Sequence, residues 1–392
     1  MSDTSVQTPH TRWPRVFVLA FAAAAIVGII LLAFTWPGLN ASPKDIPVAI
    51  TGPDAQVQQV TKALGENADG VFEVTTVASR DEAVKSIQSR DAYGAIILGA
   101  QPEVLDGGAN GAAITQILKG VSQQLQGQLS KAAGAAHQAA PQVEFTDIVP
   151  LVEADANGAG LALASFPLAM GGMLGGILVS LVVVGNRRRL TTLLVYALLG
   201  GVVITVFMQG MYGVLQGNAL LNVLAAGLAL LGTSSLIVGL NALIGTPGIP
   251  VGALLTMLVA NPISGANVPS QFLPGPSGVI GQWFVPGAST SLLKDISYFP
   301  AANSTFFWLV LAGWALLGVV FTLAGHFRNQ EVVHVAGSTE ADAATPDAGK
   351  HAKDVAPDAT TATAATAGAR SADGPADAPA PHEPESTGKH LA

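Results

Sequence analysis

The chain has 392 residues, of which 50% are hydrophobic and 11% charged, and it contains no cysteine. Its formal net charge of −8 is concentrated after Val335, where nine acidic residues face four basic ones. The charge therefore describes one tail, nucleic-acid binding has no basic footprint, and disulfides, thiolate metal sites and cysteine nucleophiles are excluded together.

The body is far more apolar than the average suggests. Residues 190–293 run for 104 positions without Asp, Glu, Lys, Arg or His. A charge at bilayer depth costs roughly 2.5 kcal/mol or more, so this stretch belongs in a membrane and offers no charged proton relay or ion site. The expected fold class is an α-helical polytopic membrane protein with six transmembrane helices and an extracytoplasmic α/β domain inserted between helices 1 and 2.

In chain order, residues 1–15 form a cytoplasmic N-terminus carrying Arg12 and Arg15. Residues 16–36 form the first span. Its 21 apolar positions exceed the 7 to 15 of a signal-peptide core, and Trp13 and Trp36 bracket it as interface anchors do, which favours a retained anchor over a cleaved signal.

Residues 41–158 read as the outward domain. Residues 46–50 form an apolar strand, Pro53 and Asp54 open a helix with Val57, Val60 and Leu64 at helical spacing, and residues 72–77 alternate as a strand. Ser79 and Glu82 make a capping-box pattern, and residues 95–98 form a third, short strand. That βαβαβ order favours parallel pairing. After a turn at Asp106, Gly107 and Gly108, an amphipathic helix presents Ile114, Ile117, Leu118, Val121, Leu125 and Leu129 on one stripe, which packs on the domain's own sheet or pairs with a second copy. Residues 143–151 return as a strand. These elements account for the apolar residues without the membrane, so the domain is expected to fold alone.

Residues 161–325 form a five-helix membrane domain. Spans at 161–185, 191–210, 219–240 and 305–325 meet the ~20-residue requirement. The segment 250–262 is short and bounded by breakers, and either spans with irregular backbone or re-enters. Basic residues collect on the cytoplasmic side of spans. Arg12 and Arg15, the cluster Arg187, Arg188 and Arg189, and Arg328 share one side only if the number of spans is even, which places both termini of this cell-membrane protein in the cytoplasm. The tail at 336–392 is rich in Ala, Asp, Thr, Pro and Gly and is expected to be disordered and cytoplasmic.

No Walker A, H-E-x-x-H or G-x-S-x-G pattern occurs, so no catalytic, metal or cofactor residue is assigned. Two elements stand out instead. Gly171, Gly172, Gly175 and Gly176 form overlapping G-x-x-x-G pairs that permit close helix approach, within the molecule or across a dimer. Pro167 lies one turn earlier and predicts a kink. The outer loop at 263–303, with its entry at Asn261 and Pro262, is re-entrant or interfacial. Asn261, Pro262, Ser264, Gly265, Pro274, Trp283, Phe284, Pro286 and Gly287 either line or gate a path for an apolar substrate or merely cap the helix ends.

One anchor, an outward α/β block, five further spans and this loop make a recognisable order. Val149 and Pro150 with Asn157 and Gly158, Asn261-Pro262 with Ser264-Gly265, Leu273-Pro274-Gly275, Pro286-Gly287-Ala288 and Ile296-Ser297-Tyr298-Phe299 carry the likeness. The chain resembles the ABC-2-type transporter permeases, and within them the phage infection protein branch and its actinobacterial relatives. That resemblance implies an export subunit in the bilayer, driven by a separate ABC ATPase and compatible with a homodimer, with Arg187 to Arg189 as the cytoplasmic coupling or topology cluster. The alternative is an orphan surface-exposed scaffold or receptor without transport activity.

Overall fold

The computed structural model describes residues 12–156 and 158–325. Residues 1–11, Asn157, Arg328 and the tail lie outside the described residues, so the expectations placed on them are not addressed. The first helix, α1, covers Trp13–Leu39. The inserted domain follows as β1 (Ile46–Thr51), α2 (Asp54–Asn67), β2 (Phe72–Thr76), α3 (Arg80–Gln88), β3 (Gly94–Ile97), β4 (Glu103–Asp106), α4 (Ala112–Ala135) and β5 (Glu144–Asp147). The helical body comprises α5 (Ala159–Val182), α6 (Asn186–Thr205) with a π-helical continuation over Val206–Met211, α7 (Ala219–Ile244), α8 (Gly248–Leu254) with a π-helical continuation over Leu255–Ala260, α9 (Ser277–Gly281), α10 (Val285–Tyr298) and α11 (Thr305–Ala324). Among the described residues five helices, namely α1, α5, α6, α7 and α11, are long and apolar enough to cross a membrane.

The sheet has the order β2-β1-β3-β4-β5. β1 pairs in parallel with β2 and β3, and β4 pairs in parallel with β5, each through a helical crossover. The three strands expected to be parallel, β1, β2 and β3, are so, and the unexpected strand β4 pairs antiparallel with β3. Only five residues join these two strands, and a short connection can make only a hairpin. Asp106, read from sequence as a turn residue, is instead the fully buried last residue of β4.

The sheet is covered on both faces. Ile46, Val48, Ile50, Ile96 and Val104 meet Val57 of α2 and Ile114, Leu118 and Leu125 of α4, so the α4 stripe packs on its own sheet. On the other face Ala49, Ala95 and Leu105 meet Ala83 and Ile87 of α3. The N-terminus of α3 is closed by a variant of the expected capping box: Ser79 Oγ accepts from Glu82 N–H at 3.2 Å, while the Glu82 carboxylate accepts from Ala78 N–H at 2.8 Å. Both faces borrow residues from the helical body. Phe272 and Val268 enter the first cluster, and Phe299, just after α10, is fully buried in the second.

The helical body is organised on α7, buried along most of its length. Small residues allow the neighbours in: Gly172 and Gly176 of α5 meet Thr233 and Ile237, Gly201 of α6 meets Gly227, and Gly318 of α11 meets Ser235 and Gly239. Such contacts let backbones approach where lipid offers no hydrophobic drive for association. Gly232 lies against Leu311, Gly239 against Gly318 and Ala242 against Gly325, so α7 and α11 run in the same direction.

The chain between them must return, and it does so in two pieces. From Gly248 at Leu240 and Gly252 at Ile237, α8 climbs antiparallel to α7 as far as Ala260, beside Thr233. It then breaks at Asn261 and Pro262, wanders through α9, and re-enters at Phe284. α10 begins with Val285 at Gly232 and ends with Ile296 at Gly217, covering the remaining half of α7. Within the expected loop at 263–303, the second half forms a 14-residue, largely buried helix. Irregular backbone at such depth is tolerated only where protein surrounds it. By contrast α1 is exposed along nearly its whole length and is buried only at Pro37.

Candidate functional site

The four glycines of α5 all pack inside the molecule. Gly172 and Gly176 face α7, and Gly175 lies under the Tyr196 ring of α6, whose hydroxyl donates to the Gly171 carbonyl at 2.6 Å. A side chain at Gly176 would press on Ser234 backbone. These positions therefore set the α5–α6–α7 spacing.

The three arginines divide into two kinds. Arg189 turns back to the end of α5, donating from Nε to the Val183 carbonyl at 2.8 Å and from Nη2 to the Ser180 carbonyl at 3.0 Å. It thereby satisfies carbonyls that a helix C-terminus leaves without partners. Arg187 and Arg188 are exposed. Asn186 ties this end of α6 to the end of α11 through the Thr322 carbonyl at 2.8 Å.

The loop residues form a folded plug. The Ser264 carbonyl accepts from Gln282 Nε2 at 2.9 Å, and the Pro274 carbonyl accepts from the Ser277 hydroxyl at 2.7 Å. Gly265 turns with φ +74°, a conformation that favours glycine, and a Cβ there would crowd Ser270. The Trp283 carbonyl accepts from Trp314 Nε1 at 2.7 Å, its ring meets Phe306 edge-on at 4.9 Å, and Phe284 stacks on Trp314 at 5.6 Å. Pro286 and Gly287 are buried in the first turn of α10, and Asn261 and Pro262 mark the break after Ala260. Phe284 and Pro286 border a cavity of only about 10 Å³.

The spacious cavities lie elsewhere. Two apolar cavities of about 730 and 700 Å³ lie between α5 and α6 and share Pro167, Val203 and Ile204. Each falls in the ~300–1,000 Å³ range of small-molecule sites. One reaches Asp155 and Tyr212 at its end, the other Thr191 and Thr192, so together they follow the length of α6. None of the nine loop residues lines either cavity. Local sequence explains the groove. Pro167 interrupts the backbone ladder of α5, and the π-helical stretch Val206–Met211 widens α6 opposite it.

A second feature had no sequence signal beyond the end of the uncharged stretch. Arg90 Nη1 donates to Asp295 Oδ1 of α10 at 2.6 Å, with side-chain exposures of 16% and 4%. The same guanidinium donates from Nε to Asn110 Oδ1 at 3.1 Å and lies 5.6 Å from the centre of the Phe299 ring. Lys294 Nζ donates to the Asn110 carbonyl at 3.2 Å. Arg90 holds φ +63° at the turn that ends α3. Such a conformation is uncommon for a residue with a Cβ, and here it aims the side chain at α10.

In the inserted domain, burial raises the carboxyl of Asp106 from its usual 3.8 to about 6, with the nearby Asp147 adding to the effect and the 2.7 Å hydrogen bond from Thr115 opposing it. On the domain's surface Arg80 forms a two-point contact with Glu103 at 2.7 and 2.9 Å, which holds the Glu103 carboxyl below its ordinary value. Among the described residues no group of three His, Cys, Asp or Glu could hold a metal ion. No family model, no curated protein and no solved structure matches the chain. The apolar helices mark a multi-pass membrane protein.

Proposed function

We propose that this chain is the membrane-spanning subunit of an ABC-2-type export system, moving an apolar substrate with energy from a separate ATPase. It crosses the cell membrane six times, with both termini in the cytoplasm and the inserted domain outside. The shared direction of α7 and α11 supports the sixth crossing, since the chain between them must return. Arg12 just before α1, Arg15 in its first turn and the exposed Arg187 and Arg188 at the start of α6 support the orientation, because basic residues stay on the cytoplasmic side.

The observation that carries the proposal is the groove between α5 and α6. A laterally open, apolar path along the whole of α6 suits a substrate that leaves or enters the lipid phase, and no charged group interrupts it between Asp155 and Thr191. The loop from Asn261 to Gly287 serves here as a plug that fixes α10 behind the groove, where Thr290 and Leu293 contribute to its wall. Pairing of two copies belongs to the same proposal, with the exposed α1 as the available face.

A scaffold or receptor role is favoured by one specific observation. The connection between α5 and α6 is only residues 183–185, and Arg189 is engaged in capping, which leaves little surface at that connection for an ATPase. Purification from native membranes separates the two. A P-loop ATPase that co-purifies with the wild-type chain supports export. Replacing Val203, at the junction of the two cavities, by Trp should then stimulate less ATP hydrolysis without lowering expression. An absent ATPase in every condition favours the scaffold.

A further inference from the structure

The contact between the inserted domain, the plug and α10 encloses a cavity of about 20 Å³. That exceeds the ~10–15 Å³ needed for one water-sized guest and leaves no room for a polyatomic ligand. Its wall is unusual in charge. Arg90 and Lys294 both border it, and no carboxylate does. Asp295, which pairs with Arg90, stands outside the lining.

Both side-chain amide oxygens of the glutamines in the wall are already engaged. Gln271 Oε1 accepts from the Ser270 hydroxyl, and Gln282 Oε1 accepts from the Ser291 hydroxyl at 2.6 Å. The Tyr93 oxygen accepts from Gln271 Nε2, which leaves the phenolic proton to be directed elsewhere. Lys294 makes one hydrogen bond, to the Asn110 carbonyl, and an ammonium has three protons. A buried cation without a partner is strongly unfavourable, and burial together with the neighbouring Arg90 lowers the Lys294 ammonium to about 7, so the wall carries up to one surplus positive charge that an anion would stabilise.

We propose that this cavity binds a monatomic anion of chloride size, held by Lys294, Arg90 and the hydroxyl of Tyr93. The anion balances the second cation and fastens the inserted domain to α10 beside the Arg90–Asp295 pair. A cation is repelled by the wall, and a phosphate or sulfate is too large. The inference is independent of the export reading, since it concerns only how the domain is seated.

The test uses the purified full-length chain in detergent micelles, with the thermal midpoint followed by tryptophan fluorescence at constant ionic strength. Chloride or bromide in place of gluconate should raise the midpoint along a saturating curve, and sulfate should not. Lys294→Gln should abolish the halide response. Tyr93→Phe, which leaves both cations in place, should shift the curve to higher chloride concentration. Line broadening of chloride in nuclear magnetic resonance should show the same ranking. Equal midpoints in chloride and gluconate would mean that only water fills the cavity, and would overturn the proposal. A halide response undiminished in Lys294→Gln would overturn it as well. If Lys294→Gln does not fold, the decision falls to Tyr93→Phe, where an unshifted curve counts against the site.

Discussion

Arg90 and Asp295 lie 205 positions apart and meet at 2.6 Å across the junction of the inserted domain and α10. Through this pair a turn at the end of α3 is tied to the one helix that starts halfway along α7. The domain is therefore seated on the re-entrant part of the body, with Phe299 buried beneath the guanidinium.

Removing one member of a buried pair leaves the other without compensation, typically at a cost of about 3–5 kcal/mol. Asp295→Ala should therefore loosen the junction, seen as faster hydrogen exchange in residues 90–93 and 294–299. The exchanged pair, Asp at 90 with Arg at 295, should restore part of the protection. Unchanged exchange in Asp295→Ala would show that the pair does not hold the domain in place.

The sequence alone suggested a domain that folds independently, and its strands and helices do form a sheet packed on both faces. Yet Phe272 and Phe299 complete its clusters from outside residues 41–158. Losing a buried Phe typically costs about 3–5 kcal/mol, so residues 44–155 alone should melt at a distinctly lower temperature than the same domain within the full chain. Phe299→Ala in the full chain should reproduce much of that loss. A fragment as stable as the intact domain would show that the two rings add little.

Asp106 gives a pH signature. Because its carboxyl is raised to about 6 in the fold, the native state binds its proton more tightly than the unfolded chain does. The stability linked to this group is therefore fully present below about pH 4 and is lost as the pH rises toward about 6. Asp106→Asn should flatten that part of the pH profile and raise the melting midpoint at neutral pH. A profile identical to the wild type would refute the assignment.

The arginines at the α5–α6 connection should separate by role. Arg189→Ala removes two hydrogen bonds to the end of α5, each worth about 1.5–3 kcal/mol for a charged donor, and should lower thermal stability. Arg187→Ala with Arg188→Ala should leave stability nearly unchanged, since both are exposed. Equal losses in the two variants would mean that Arg189 is not the cap.

Much of this architecture is legible in the sequence because its signals are local. Uninterrupted apolar runs mark the long helices, the capping residues Ser79 and Glu82 mark α3, and the stripe from Ile114 to Leu129 marks α4. β4 escaped because four residues with an acid at each end give no alternation to read. α10 escaped because Pro, Gly and Ser fill its first turns, a composition that reads as loop until burial against α7 is known. The groove and the Arg90–Asp295 contact depend on packing between distant segments, and neither Pro167 nor Arg90 declares its partner in sequence.

The export reading meets its most direct test at Arg187 and Arg188, the exposed cations at the connection between the groove-forming helices α5 and α6, which the proposal places in the cytoplasm. A photo-crosslinking residue placed singly at each position in native cells should yield an adduct with a P-loop ATPase, identified by mass spectrometry and absent when the residue is placed in the inserted domain at Lys62. Efficient crosslinking to lipid or to other proteins with no ATPase adduct at either position would contradict the account and leave a scaffold or receptor.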